Sequence, residues 1–297
     1  MQDLGYAGSA SSKNSFEILT THSMPRVRRR ASADSANRFM DNTVASLSIL
    51  SDRIIYASPD FAAKATSRPV MVLAVCTRDA LQLATEQERH IGRILLVAPN
   101  VNRSIEARNA GLYTIQLELT NAFSHHLLKH VLKGRQVVDL SELADDLVIG
   151  TAEAALGQPQ DCERMRAGSE QILSALFPLA ERAQAIDARV DAVASWLSTH
   201  VPVRTNPPQL ARDCGLSESR LAHLFASATG SSIREYLLWV KMRKAAERFC
   251  AGPTLTEIAH DTGFSDLAHL SRTFKRYFGL TPSFLSNPAH VRMQIGN

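Results

Sequence analysis

Gln209–Tyr236 reads QLARDCGLSESRLAHLFASATGSSIREY, and Glu257–Phe284 reads EIAHDTGFSDLAHLSRTFKRYFGLTPSF. The second stretch repeats the first. Leu210, Ala211, Asp213, Gly215 and Ser217 recur 48 residues on as Ile258, Ala259, Asp261, Gly263 and Ser265, and Phe225 and Gly230 recur 49 residues on as Phe274 and Gly279. Each copy holds a short apolar helix pattern, a Gly turn, a Ser cap and a second amphipathic helix that ends at Gly. That is the layout of a helix-turn-helix, whose second helix enters a major groove. Two copies on one chain predict that two successive grooves are read without a second chain.

In the first copy, Asp187–Thr199 reads as the preceding helix, with Val190, Val193, Ala194 and Leu197 on one face. Pro207 and Pro208 open the next helix, where a missing N–H costs nothing. Gly215 suits the turn because a left-handed backbone is cheap for glycine. Ser217 then caps a helix that points Leu221, Leu224 and Phe225 inward. Ser219, Arg220, Ala222 and His223 face outward near its start, the positions that reach base edges.

In the second copy, Thr254 or Thr256 starts the short helix, Gly263 makes the turn and Ser265 caps. Phe264, Leu270, Phe274 and Phe278 form the buried stripe, leaving His269, Ser271 and Arg272 toward the exposed N-terminal half. Arg272 can donate two parallel hydrogen bonds to a guanine edge. Lys275 and Arg276 lie further along, where phosphates are met. Between the copies, Ser232–Cys250 reads as one helix bearing Lys241, Arg243, Lys244 and Arg248. Such a helix is about 28 Å long, suited to holding two recognition helices near the roughly 34 Å of one DNA turn.

These marks, with REYLLWVKMRKA between the copies and LTPSFL at the close, resemble the DNA-binding domain of the AraC/XylS family of transcription regulators over about residues 188–288. The resemblance implies seven helices in two subdomains joined by a linker helix, with recognition helices at Glu218–Ala228 and Asp266–Phe278. Double-stranded promoter DNA, RNA polymerase and a second copy of the chain are the partners expected with it, and activation of transcription the expected role; no cofactor is expected, and the scattered cysteines suit a cytoplasmic location. Where the family often has basic groups, the first recognition helix has Ala222, Ala226 and Ser227. The second copy is therefore expected to carry more of the sequence reading. The DNA contacts expected are Ser217, Ser219, Arg220, His223, Lys241, Arg243, Lys244, Ser265, His269, Ser271, Arg272, Lys275 and Arg276.

The rest of the chain is different in kind. Residues 1–38 are rich in Ser, Ala, Gly and Arg, including Arg26, Arg28, Arg29 and Arg30, and read as a disordered basic tail. Residues 39–186 begin with strand-like runs, SLSILS (46–51), VMVLAV (70–75), RILLVA (93–98) and LYTIQLEL (112–119). Ala98-Pro99-Asn100 and Asn109-Ala110-Gly111 read as turns. Helical spacing follows: a stripe of Phe123, Leu127, Leu128, Val131 and Leu132, a helix after Asp139, and another from Asp161 to Phe177. The stretch VAPNVNRSIEARNAGLYTIQLEL is similar to the core of small cupin-like sensing domains. The class expected is thus α+β in two domains, a small β-sheet or cupin-like barrel with flanking helices, then an all-α bundle from residue 187 to 297. Such a body dimerises, binds a small effector, or does both. Ile172, Leu176, Leu179, Ala183, Ile186, Val190 and Val193 trace a heptad seam for pairing chains, interrupted at Pro178.

Bulk properties narrow the classes. Hydrophobic residues make up 45% and charged residues 21%, and no apolar run approaches the roughly 20 residues of a membrane helix. Residues 191–297 hold 12 Lys and Arg against 8 Asp and Glu, whereas residues 41–190 hold 15 against 18. A polyanionic partner therefore suits the C-terminal third. His126 and His130 have metal-ligand spacing but no acidic neighbour, and no metal site is expected. Cys76, Cys162, Cys214 and Cys250 are scattered. An enzyme attached to the DNA-binding module, such as a methyl-accepting repair protein, needs an activated cysteine, and none of these sits in a nucleophile motif.

Overall fold

A run such as VMVLAV has no polar side to give to water, so it must be covered on both faces. The computed structural model describes residues 44–157, 161–178, 186–201, 206–249 and 252–296. The expected basic tail lies outside these residues, as do Leu179, Ala183 and Cys250. Among the described residues the N-terminal strands are β1 (Ala45–Ile49), β2 (Arg53–Ser58), β3 (Phe61–Thr66), β4 (Met71–Cys76), β5 (Leu81–Thr85), β6 (Arg89–Gly92), β7 (Ile94–Val97), β8 (Arg103–Ala107), β9 (Leu112–Leu117) and β10 (Val137–Asp139). The VMVLAV run is the centre of β4, and the other three expected runs are β1, β7 and β9. With a last strand β11 (Val291–Ile295), one sheet runs β10-β7-β4-β9-β2-β1-β11 and a second runs β3-β8-β5-β6.

The period of two along β4 divides the protein into layers. Val72, Ala74 and Cys76 join the core between the two sheets. Met71, Leu73 and Val75 join a second core under helices. Those helices are α1 (Ala122–His126), which continues as a π-helical turn Leu127–Leu132, then α2 (Asp146–Gly157) and α3 (Cys162–Leu176). The helix expected after Asp139 begins later, because Asp139 still pairs with Leu95 in the sheet and a short 3₁₀ turn, Ser141–Leu143, intervenes.

Seven helices follow among the described residues: α4 (Ala188–Thr199), α5 (Pro207–Asp213), α6 (Glu218–Thr229), α7 (Ile233–Glu247), α8 (Leu255–Asp261), α9 (Leu267–Phe278) and α10 (Pro282–Leu285). The linker α7 covers 15 residues, shorter than the expected Ser232–Cys250, and is about 22 Å long. The heptad seam does not form one stripe. Ile172 and Leu176 are buried in the core under the sheet, whereas Val190 and Val193 are buried among α4–α7.

The chain's end departs from the expected division. Val291–Ile295 pairs in parallel with β1, from Ala45↔Val291 to Ile49↔Ile295. The segment after α10 thus belongs to the N-terminal sheet rather than to the helical bundle. Residues 291–295 alternate weakly, and an edge strand supplied from so far along the chain leaves no local signature.

Candidate nucleic-acid interface

The two copies fold as the same unit. In the first, Gly215 has φ 65° and Gly230 has φ 68°, and in the second Gly263 and Gly279 have φ 76° and 74°. Each glycine stops one helix in the left-handed conformation that a side chain resists. Ser217 caps α6 by accepting from the Arg220 amide at 3.3 Å. The cap of α9 is not Ser265, as expected, but Asp266, which accepts from the His269 amide at 2.6 Å. Ser265 instead donates its hydroxyl to Asp266 at 2.9 Å and lies 3.2 Å from His269 Nδ1. One extra residue between Gly263 and the cap explains why the sequence offset changes from 48 to 49.

With the caps aligned, α6 and α9 are both 12 residues long. His223 then stands where the second copy has Arg272, Ala226 where it has Lys275, and Ser227 where it has Arg276. Ser219, Arg220, Ala222 and His223 are all exposed on α6. On α9, Arg272, Lys275 and Arg276 are exposed while His269 and Ser271 are half-buried. Their opposite faces are sealed by Leu221 and Phe225 in one helix and by Leu270, Phe274, Tyr277 and Phe278 in the other. Arg276 bends over the Tyr277 ring at 4.9 Å. The His269 amide and the Ser265 hydroxyl hold the Asp266 carboxyl below its ordinary range.

The linker helix does not present its cations as expected. Lys241 Nζ donates to the Gly263 carbonyl at 3.1 Å, bracing the second turn, and burial pulls its pKa down. Arg243 points into the N-terminal part. It donates to the Ser51 carbonyl at 2.8 Å, to the Leu50 carbonyl, and to Glu118 Oε1 at 3.2 Å. Trp239 Nε1 donates to the same carboxylate oxygen at 2.8 Å. Burial raises the Glu118 pKa, with Arg243 and Trp239 opposing it. Lys244 remains exposed, 3.4 Å from Glu247. Of the three linker cations expected to contact DNA, Lys244 alone is exposed as a phosphate contact requires.

Glu118, Trp239 and Ser67 went unread in the sequence, yet they join its two parts. The Ser67 amide donates to the Arg276 carbonyl at 2.8 Å. A side chain at Gly279 would collide with Ala63 on β3. Near the first copy, Asn100 Nδ2 lies 3.3 Å from both the Gly230 carbonyl and Ser231 Oγ. Glu118 was the available clue, an acid set inside the strand-like run 112–119.

A family model described as a helix-turn-helix domain matches residues 210–287. Residues 210–287 are an AraC-type helix-turn-helix domain. This AraC-type domain is similar to part of the Msm operon regulatory protein of Streptococcus mutans, 40% identical over 76 residues, which are 25% of this chain and 27% of that protein. The transcriptional activator RhaS of Klebsiella pneumoniae is 31% identical over 105 residues, 35% of this chain and 38% of that one. The chain thus spans roughly a quarter to two fifths of these curated relatives. A crystal structure of a ToxT variant from Vibrio cholerae covers 80% of this chain and 97% of its own, at 10% identity and a TM-score of 0.55. That likeness extends the shared fold beyond the AraC-type domain to the β-rich part.

Proposed function

We propose that the protein is a sequence-specific DNA-binding transcription regulator that places α6 and α9 in successive major grooves. The observation that carries this reading is the pair of capped, equal-length helices, each preceded by a helix and a glycine turn, with apolar faces buried and polar faces exposed. The second copy supplies most of the specificity, because Arg272, Lys275 and Arg276 stand where the first has His223, Ala226 and Ser227. A footprint made of two sub-sites about 10 base pairs apart follows from one helical turn of DNA. Arg272→Ala should cost about 1–3 kcal/mol at one base position and relax selectivity there. Gel-shift titration against a panel of single-base variants reads this directly. Unchanged affinity and selectivity would reject α9 as the specific reader.

The finer reading is a homodimeric activator that contacts RNA polymerase and responds to a small effector. The activator role draws on the printed description of RhaS. Leu143 and Leu147, both exposed at the entry to α2, are candidate contacts for a second copy. The effector reading draws on unpaired buried polar groups in the β-rich part. Among the described residues, the three thiols disfavour an attached methyl-accepting enzyme. Burial pushes Cys76 up to about 12 and raises Cys162 and Cys214, whereas such chemistry needs an accessible, low-pKa thiolate.

A further inference from the structure

The two helix-turn-helix units are unequally charged, and the poorer one borders a run of cations in the β-rich part. α9 holds Arg272, Lys275 and Arg276 with no acid, whereas α6 holds Arg220 against Glu218. The exposed row of α6 steps by four, three and four through Ser219, His223, Ala226 and Gly230, which is one face of a helix. At Gly230 that row meets the β-rich part, because a side chain there would come within 3.3 Å of Pro99 and 3.5 Å of Leu128. Asn100 fastens the same corner through the Gly230 carbonyl and Ser231. Leu128 belongs to the π-helical turn that continues α1, and Lys129 is the next residue.

Between Glu118 and Asp139 the chain has no acid, and His125, His126, Lys129, His130, Lys133 and Arg135 all fall in that interval. Lys129, His130, Lys133 and Arg135 are exposed, while Leu127 and Leu132 bury the other side in the core under the sheet. Among the described residues, neither Lys129 nor Lys133 is in a salt bridge. Arg135 donates to the Val131 carbonyl at 2.8 Å and to the Leu132 carbonyl at 3.3 Å, holding the end of the turn. Lys133 ends it in the left-handed region at φ 50°. π-Helical turns are rare and frequent at functional sites, and few residues other than glycine take a positive φ. Burial holds the His125 pKa below its ordinary value, and the neighbouring Lys129, His130 and His126 charges act in the same direction.

We propose that the strip formed by Lys129, Lys133 and Arg135 is an accessory DNA-backbone surface that takes phosphates just outside the sub-site of α6. The inference rests on the DNA-binding reading and extends it into the β-rich part. Charge complementarity sets the occupant, since a row of exposed cations with no acidic neighbour in sequence suits a polyanion. Position sets the sub-site, since the strip borders the end of the helix that lacks the cations of α9. Phosphate contacts fix register without reading bases. The first unit is therefore held on DNA by backbone contacts from two parts of the chain, and α9 selects the bases.

The test uses the full chain and a labelled duplex selected by it from a random-sequence library, with affinity followed by fluorescence anisotropy over a range of salt concentrations. Lys129→Gln combined with Lys133→Gln should lower the slope of log affinity against log salt by about 2, and weaken binding by about tenfold or more near 0.1 M salt. The ranking of single-base variants of the duplex should not change, and Lys129→Arg with Lys133→Arg should keep the full slope. Hydroxyl-radical footprinting of the unmodified protein should show protected backbone outside the two sub-sites, and the Gln variant should lose it. An unchanged slope in the folded Gln variant overturns the proposal. So does a footprint of the unmodified protein confined to the two sub-sites, a result that needs no variant. Either outcome with base selectivity intact defeats this surface alone. Failure to select any duplex defeats the DNA-binding reading and the surface with it.

Discussion

The two helix-turn-helix units share a design but are supported differently. The first has its own core, in which Val190, Val193, Leu221, Phe225 and Tyr236 pack together. The second has none of its own: Trp239, Phe264, Leu270, Phe274 and Phe278 belong to the same core as the inner face of the sheets. One unit is therefore a satellite and the other is continuous with the β-rich body. α9 shares packing with that body, whereas the first copy meets it at Gly230 and Ser231, just beyond the end of α6, through Asn100, Pro99 and Leu128. The copy richer in exposed cations is the copy that shares the core of the β-rich part.

The strongest attempt to break this contrast is truncation at the equivalent aromatics. Phe225→Ala and Phe274→Ala each remove a fully buried ring and should cost about 3–5 kcal/mol. The chain has two tryptophans, Trp196 on α4 and Trp239 in the shared core. In a Trp196→Phe background, Trp239 emission should report a lowered transition for Phe274→Ala and little change for Phe225→Ala. Equal shifts would show that the two cores melt as one.

Next comes the buried carboxylate beneath the linker helix. Glu118→Ala strands the Trp239 N–H and the Arg243 guanidinium and should cost about 3 kcal/mol in urea unfolding. Because burial raises the Glu118 pKa in the folded state, its stabilising contribution is complete below the ordinary carboxylate value. It declines as pH rises through the raised value. Glu118→Gln should flatten that dependence, and an unchanged pH profile would deny Glu118 this role.

Salt dependence gives a smaller and sharper test. Lys275→Ala should lower the slope of log affinity against log salt by about 1, the loss of one phosphate contact. Arg243→Ala should leave the slope alone, since that cation faces Glu118 rather than solvent. A reversed order would move the DNA surface onto the linker.

The caps give the smallest effects. Ser217→Ala should cost about 1 kcal/mol at every pH, because a hydroxyl does not titrate. Asp266 is held below its ordinary value, so its contribution is present above the unfolded carboxylate pKa and lost as pH falls through the lowered folded one. Asp266→Asn keeps an accepting oxygen and should remove the acid sensitivity. Acid unfolding followed at α9 by hydrogen exchange distinguishes the two caps.

How much was legible depended on the range of the cause. Gly215, Ser217, Gly263 and the Phe225 and Phe274 faces act within a turn or two of helix, so the doubled motif, its two 12-residue helices and the exposure of Arg272, Lys275 and Arg276 stood in the chain itself. The Asp266 cap was misassigned by one residue because Ser265 is an equally good cap by type, and local geometry alone chose between them. Arg243 was read as a DNA contact because a cation on a helix carries no mark of what it faces. Lys241 was misread for the same reason.

The sequence by itself determined that two copies of one helical unit follow a strand-rich body, through periodicity and turn chemistry that operate between near neighbours. Only the tertiary structure decided that the second unit shares its core with the sheets, that β11 returns to pair with β1, and that Arg68 and Arg103 are buried with no acidic partner among the described residues. Those facts depend on which distant segments exclude water from one another, and no local pattern encodes that.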